Sequence, residues 1–240
     1  MGNLIFTTEE QPEFHYDVNC REGRILQFLA DITTHNNREW FTENRERYDK
    51  VRAEFEQIAE ETIAAIGEFD PTIRGLAVKS TLYRFNRDTR FSLDKSPYKR
   101  HLGCYINSHG KKSPHGGYYL HFEAGNCMIG GGAYCLESPV LRAVRTNIME
   151  RIDDFRAIVE ASEFHELFPV IGESHLKTLP VGFPRDFAYP QYLRPKNYAV
   201  LRELPDDFFF HENWMEEAAR EFAVMKPFLD FVNETIDDYL

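Results

Sequence analysis

The chain has 240 residues, of which 42% are hydrophobic and 28% charged, and its formal net charge is −11 at pH 7. These proportions are ordinary for a folded globular protein and exclude a collagen-like or fully disordered chain. No apolar run of about 18 residues occurs, so the sequence predicts no membrane-spanning helix. The first fourteen residues carry three glutamates and no basic region, which argues against a signal peptide.

Four cysteines are spread along the chain without the Cys-x-x-Cys spacing of a structural zinc site: Cys20, Cys104, Cys127 and Cys135. In a chain without a signal peptide, they are expected to be reduced thiols of a cytoplasmic protein. The sequence therefore predicts a cytoplasmic location, no zinc held by cysteines, and no cofactor.

The N-terminal part has the apolar spacing of two helices. Apolar residues recur at helical spacing within 24–34, and the polar residues 35–37 end that helix. Asn36, followed three residues later by Glu39, is typical of a capping box that opens a second helix, expected to run to about Ile66. These patterns predict an antiparallel helical hairpin that presents one apolar stripe.

Strand patterns follow between residues 76 and 135. Four segments there are rich in β-branched and aromatic residues or alternate in polarity: 76–85, 101–107, 117–124 and 127–134. Gly125-Asn126 between the last two is typical of a two-residue hairpin turn. Short connections of this kind predict an antiparallel meander.

The sequence of the C-terminal half predicts helices joined by irregular loops. A helix is predicted to begin at Ser138-Pro139, and a last amphipathic helix to run from Trp214 to Ile236. The stretch between is rich in proline and has one strand pattern, Tyr198 to Leu204. We expect one α+β domain over 1–240, with its core at about 24–232. A central antiparallel sheet (about 76–135) would pack against the N-terminal helical hairpin and the C-terminal helices.

The charge is unevenly distributed. Residues 74–121 contain ten Lys or Arg against two Asp, a local charge of +8 that leaves −19 for the remainder. An acidic body repels nucleic acid at long range, so nucleic acid is an unlikely ligand and a small anion suits the basic cluster better. Neutralisation by the protein's own acidic helices is the alternative.

The predicted anion ligands lie mainly within residues 84–99. If 84–94 is extended, alternate side chains share a polar face, and arginine suits phosphate and carboxylate because its donors form a fixed planar fork. Glycines 130–132 let a backbone approach a ligand, although a β-bulge or a close strand contact explains them slightly better. The predicted ligand-binding residues are Arg84, Arg87, Arg90, Ser92, Lys95, Lys99 and Gly131.

Three residues are candidates for proton transfer or for positioning the arginines: Asp88, Tyr98 and His121. His121 and Glu123 would project to the same face of a strand. A metal site would need a third ligand, His101 or His115, from a neighbouring strand. A hydrogen-bonded histidine is the more frequent arrangement, so the sequence predicts no metal.

Several motifs together resemble a known family. They occur in this order: Asn36-Asn37-Arg38-Glu39-Trp40-Phe41, Tyr83-Arg84 through Lys99, Gly117-Tyr118-Tyr119-Leu120-His121, glycines 130–132, and Leu176-Lys177 to Pro180-Gly182-Phe183. The chain resembles the bacterial conserved hypothetical proteins called domain of unknown function 2461 over about residues 24–232. It departs from their pattern at Leu93, where a lysine is expected. The resemblance implies a single α+β domain and no known activity.

The sequence thus predicts a protein that binds a phosphate- or carboxylate-bearing ligand on the basic segment 84–99. It leaves open whether this protein is an enzyme, as well as the substrate and the oligomeric state. The alternative is a non-enzymatic interaction module whose basic face docks an acidic protein partner.

Overall fold

The computed structural model describes residues 14–240, so nearly all of the segment used to argue against a signal peptide lies outside the described residues. The described helices are α1 (Arg21–Thr34), α2 (Arg38–Glu43), α3 (Arg45–Phe69), α4 (Val78–Thr81), α5 (Ser138–Glu150), α6 (Ile152–Val159), α7 (Ser162–Leu167) and α8 (Trp214–Tyr239). The strands are β1 (His101–Ile106), β2 (Gly117–Glu123), β3 (Cys127–Ala133) and β4 (Tyr198–Leu204). No helix within 14–240 has the length and apolar character needed to cross a bilayer.

The four strands form one antiparallel sheet in the order β1-β2-β3-β4. The predicted hairpin joins β2 to β3, and Gly125 there has a φ of +75°, which favours glycine. β4, also predicted, pairs with β3 along its whole length. The α+β prediction is confirmed, although the sheet begins at His101 rather than near residue 76.

Helices cover one face of the sheet. Strand residues that point to this face are buried, and α8 packs against α3, α5 and β3. Phe122 of β2 has no exposed surface, and its ring centroid lies 4.2 Å from that of Phe209 and 5.7 Å from that of Phe55. This apolar layer fixes the sheet, so the positions on its opposite face are rigidly placed.

On the opposite face of the sheet, β1 and β2 carry polar side chains. His101 and Tyr105 of β1 and Tyr119 and His121 of β2 alternate with the core residues of their strands. The register places Tyr105 directly across from Tyr119. Because residues i and i+2 of a strand share a face, this register gathers the hydroxyls and imidazoles on one surface.

The predicted capping box is wrong by one residue. Asn37, not Asn36, is the N-cap of α2, and its Oδ1 accepts a hydrogen bond from the Trp40 backbone N–H at 2.9 Å. The second helix is also interrupted at Asn44, between α2 and α3. Asn36 instead makes two hydrogen bonds of 3.0 Å with the backbone N–H and C=O of Tyr98.

The predicted strand 76–85 is wrong, because the short helix α4 lies within it. The hydroxyls of Ser80 and Thr81 donate to the carbonyls of Ala77 and Val78, and local bonds of this kind compete with the ladder of a strand. Only the end of the segment contacts the sheet, through an isolated bridge between Leu82 and Cys104.

Candidate functional site

Residues 84–99, which we call the basic loop, do not form the extended strand assumed from the sequence. The chain turns back on itself, and Asn86 forms an antiparallel bridge with Tyr98. The Asp88 carboxylate accepts the Arg90 backbone N–H, and Asp94 accepts that of Ser96. Such aspartate-to-backbone bonds stabilise turns, which explains why an alternating polar pattern produced a loop here.

The two central arginines of the basic loop are paired within the loop itself. Arg87 donates to Asp94 at 2.5 Å, and Arg90 donates to both carboxylate oxygens of Asp88 at 2.9 and 2.6 Å. Arg90 holds the pKa of Asp88 below its usual value. Internal aspartates therefore supply the counter-ions of these arginines, and the acidic helices predicted as an alternative do not.

Other predicted residues of the basic loop are also engaged or exposed. Lys95 donates to the carbonyl of Thr89, Ser92 accepts a hydrogen bond from Arg87, and Arg84 is exposed. Tyr98 is buried, with its ring stacked on Phe41 at 4.0 Å between centroids. Of the predicted residues of the loop, Lys99 is the one that lines either of the two cavities described next.

A cavity of about 430 Å³ lies on the polar face of the sheet, and we call it the sheet pocket. Its lining includes Tyr83, Lys99, His101, Lys111, Tyr119 and His121. Three residues predicted from the sequence thus meet here: Lys99, His121 and Gly131. Gly131 lines the pocket with backbone atoms only. A Cβ at this position would point to the helix-covered side of the sheet, where it would lie 2.4 Å from the sulfur of Met225 in α8.

Two lysines face one aromatic ring in the sheet pocket. The Nζ atoms of Lys99 and Lys111 lie 5.1 and 5.5 Å from the centroid of Tyr83, and Lys111 also donates to the carbonyl of Leu82. Neither lysine forms an ion pair with a carboxylate in the described part of the chain. Burial, then the charges of Arg84 and Lys111, lowers the pKa of Lys99.

A hydrogen-bonded chain of side chains runs along β2. The Tyr119 hydroxyl lies 2.7 Å from His121 Nδ1, and His121 Nε2 lies 3.1 Å from Glu123 Oε2. The His101 ring packs against that of His121 at 4.5 Å between centroids. Burial, followed by the neighbouring His121 and Lys99, lowers the pKa of His101 to about 4, so this imidazole is neutral at neutral pH.

A second histidine cluster joins the loop after β1 to the end of α8. Ser113 Oγ lies 2.6 Å from His115 Nδ1, and His115 Nε2 lies 2.8 Å from Asp237 Oδ1. The His109 ring stacks on that of His115 at 3.9 Å. His115 and Ser113 also line the sheet pocket, so this cluster forms part of its wall.

Another cavity of about 430 Å³ lies between β1 and α8, and it is acidic. Its lining includes carboxylates of Asp70, Asp230, Glu234, Asp237 and Asp238. Carboxylates repel an anion, so the sheet pocket, where one carboxylate (Glu173) faces two lysines, is the better candidate for the predicted ligand.

Sequence reasoning missed Lys111 and Tyr119 and did not select Glu123. The alternation His121-Phe122-Glu123 did signal that the histidine and the glutamate share a face, and His101 was considered as a partner. No sequence signal linked Lys111 to Lys99, because α4 and the reversal of the basic loop bring both to Tyr83.

The molecule is therefore an α+β protein whose antiparallel sheet is covered by helices on one face and has a pocket on the other. The family model described as conserved hypothetical protein (DUF2461) matches residues 24–231, and the chain belongs to this family. No curated protein and no solved structure matches the chain.

Proposed function

We propose that the protein binds a small anion, of the phosphate or carboxylate class, in the sheet pocket. One observation carries the proposal: Lys99 and Lys111 both lie over the ring of Tyr83, and within residues 14–240 neither lysine forms an ion pair with a carboxylate. The distances to Tyr83 place the two ammonium nitrogens at most about 11 Å apart. An anion between them would replace repulsion with two attractive contacts.

The surroundings of the lysines favour a ligand over solvent counter-ions. Both side chains are partly buried, and burial lowers the pKa of each. Charges removed from water interact more strongly than exposed ones, so an anion in this pocket gains more than one on the basic loop. Tyr119 and Ser113 also line this pocket, with their hydroxyls held at 2.7 Å from His121 Nδ1 and at 2.6 Å from His115 Nδ1.

The test is a titration with phosphate, sulfate and citrate, followed by calorimetry and thermal melting. A ligand at 100 times its dissociation constant adds about 2.7 kcal/mol of stability to the wild-type protein. We expect Lys99→Met and Lys111→Met each to weaken binding at least about tenfold, which corresponds to about 1.4 kcal/mol. Methionine keeps the length of the side chain and removes its charge.

The matched controls are Arg87→Met and Arg90→Met in the basic loop, which should bind like the wild type. If these controls lose the anion while the lysine variants keep it, the site is on the basic loop as first predicted. If no anion stabilises the wild type, the proposal fails.

A second candidate function is docking of an acidic protein partner at the tip of the basic loop. Phe91 and Leu93 are 96% and 102% exposed, and they lie next to Arg90 and Lys95. Exposed apolar residues among cations are typical of an interaction surface. The test measures binding of a polyglutamate peptide that contains leucines, which Phe91→Ser with Leu93→Ser should abolish. Equal binding by this variant would refute docking, and anion binding in the sheet pocket should be unchanged.

A further inference from the structure

We propose that His101, His121 and Glu123 form a site for a divalent transition-metal ion of the zinc type. One ligand atom from each residue lies within 4.8 Å of the other two. Two imidazoles and a carboxylate are a donor set that zinc uses at catalytic sites, where a fourth position stays open.

The backbone register brings these residues together. His101 of β1 is the direct cross-strand partner of Glu123 of β2, and His121 lies two residues before Glu123 on the same face. The three side chains therefore occupy one patch of the sheet whatever their exact rotamers. Antiparallel strands held by the core beneath them give the rigid support that a metal site needs.

The distances between the side chains suit a common ion. Zinc bonds to nitrogen and oxygen are about 2.0–2.2 Å long, which places two tetrahedral ligands roughly 3.3–3.5 Å apart. His121 Nε2 and Glu123 Oε2 are already 3.1 Å apart. The ligand atom of His101 lies within 4.8 Å of those of His121 and Glu123, so a rotation of the His101 side chain toward them would complete the set.

Further hydrogen bonds hold the ligands from behind. The Tyr119 hydroxyl contacts His121 Nδ1 at 2.7 Å, and the Asn126 side-chain amide donates to Glu123 Oε2 at 2.9 Å. Partners of this kind orient metal ligands, and their removal costs 10–100-fold in affinity. Since His101 and His121 line the sheet pocket, the open coordination position would face its interior.

The second histidine cluster is a poorer metal site. The rings of His109 and His115 are nearly parallel, with an angle of 8° between them at 3.9 Å. The lone pairs of an imidazole lie in its plane, so stacked parallel rings cannot direct two of them at one ion. The angle between the rings of His101 and His121 is 32°, which brings their planes closer to converging.

The experiment titrates Zn²⁺ into tag-free protein that has been stripped with EDTA and transferred to phosphate-free buffer. Calorimetry should give one ion per chain, and Co²⁺ should give the visible absorption of a tetrahedral site. We expect Glu123→Gln and His121→Gln to lose at least about 100-fold in affinity and Tyr119→Phe about 10–100-fold. The control, His109→Gln in the second cluster, should bind like the wild type.

Two results would overturn the metal proposal: no stoichiometric binding by the wild type, or loss of binding in His109→Gln while Glu123→Gln retains it. Melting curves in EDTA establish that each variant folds. If Glu123→Gln does not fold, Tyr119→Phe decides, because it removes only a hydroxyl. The metal proposal does not depend on the anion proposal, since sulfate titrations in EDTA test the lysines without metal.

Discussion

The adjacent residues Asn36 and Asn37 have different structural roles. Substitution of each residue by serine distinguishes the two roles. Asn37 uses one oxygen to cap α2, a role that serine fills about equally well. Asn36 uses both its oxygen and its amide to hold the backbone of Tyr98. A serine hydroxyl is too short to make both bonds across the same gap. We therefore expect Asn36→Ser to be destabilising and Asn37→Ser to be nearly neutral.

The expected loss of unfolding free energy in Asn36→Ser follows from the two hydrogen bonds that Asn36 makes, each 3.0 Å long. A typical intramolecular hydrogen bond contributes about 0.5–1.5 kcal/mol, so losing both costs about 1–3 kcal/mol of unfolding free energy. Tyr98 is only 9% exposed, which limits the water that can replace the lost partner. Asn37→Ser should stay within about 0.5 kcal/mol of the wild type.

Urea denaturation, followed by circular dichroism, measures the free energy of unfolding of both variants. The two unfolding curves are fitted with the same denaturant slope and the same baselines. Greater destabilisation of Asn37→Ser, or equal destabilisation of the two variants, would contradict these separate roles. A free energy loss confined to Asn36→Ser would show that this residue anchors the basic loop to the start of α2.

Three further predictions concern the core and the lysine site. Phe122→Ala should cost about 3–5 kcal/mol in urea denaturation because its ring is fully buried, whereas Phe91→Ala, 96% exposed, should be neutral. Tyr118→Phe should cost about 1.5–3 kcal/mol, since its hydroxyl donates to the buried carboxylate of Asp70 at 2.9 Å. Sulfate affinity should fall as the pH rises, beginning below the usual lysine pKa of 10.5, because the pKa of Lys99 is lowered and its charge is lost earlier; constant affinity up to pH 10.5 would contradict this.

Elements with strong local patterns could be predicted from the sequence. The apolar spacing of α1, the Gly125-Asn126 turn and the β4 pattern reflect local preferences, and each lies where expected. The antiparallel meander also follows from short connections, which cannot accommodate a crossover helix.

The basic loop shows where this reasoning fails. Its alternating polar residues fit a strand, but Asp88 and Asp94 hydrogen-bond nearby backbone N–H groups and reverse the chain. The same aspartates also pair with the arginines that a net charge count treats as free. Local competition of this kind depends on geometry that a charge count does not contain.

The sheet pocket could be predicted only in part. Lys99 and His121 were selected from the sequence. Tyr119 lies two residues before His121 on the same face of β2, whereas Lys111 meets these residues only through tertiary contacts. Those contacts depend on the pairing of β1 with β2 and on the position of Tyr83, whose ring lies beside Lys111. Residues distant in sequence that form one pocket give no periodic signal.

A crystal soaked in selenate tests the central claim most directly, because the anion resembles sulfate and selenium is located by its anomalous scattering. We predict a selenium peak in the sheet pocket, with selenate oxygens within hydrogen-bond distance of the Nζ atoms of Lys99 and Lys111. A peak only beside Arg87 and Arg90, or no ordered peak at a concentration that saturates binding in solution, would contradict the account.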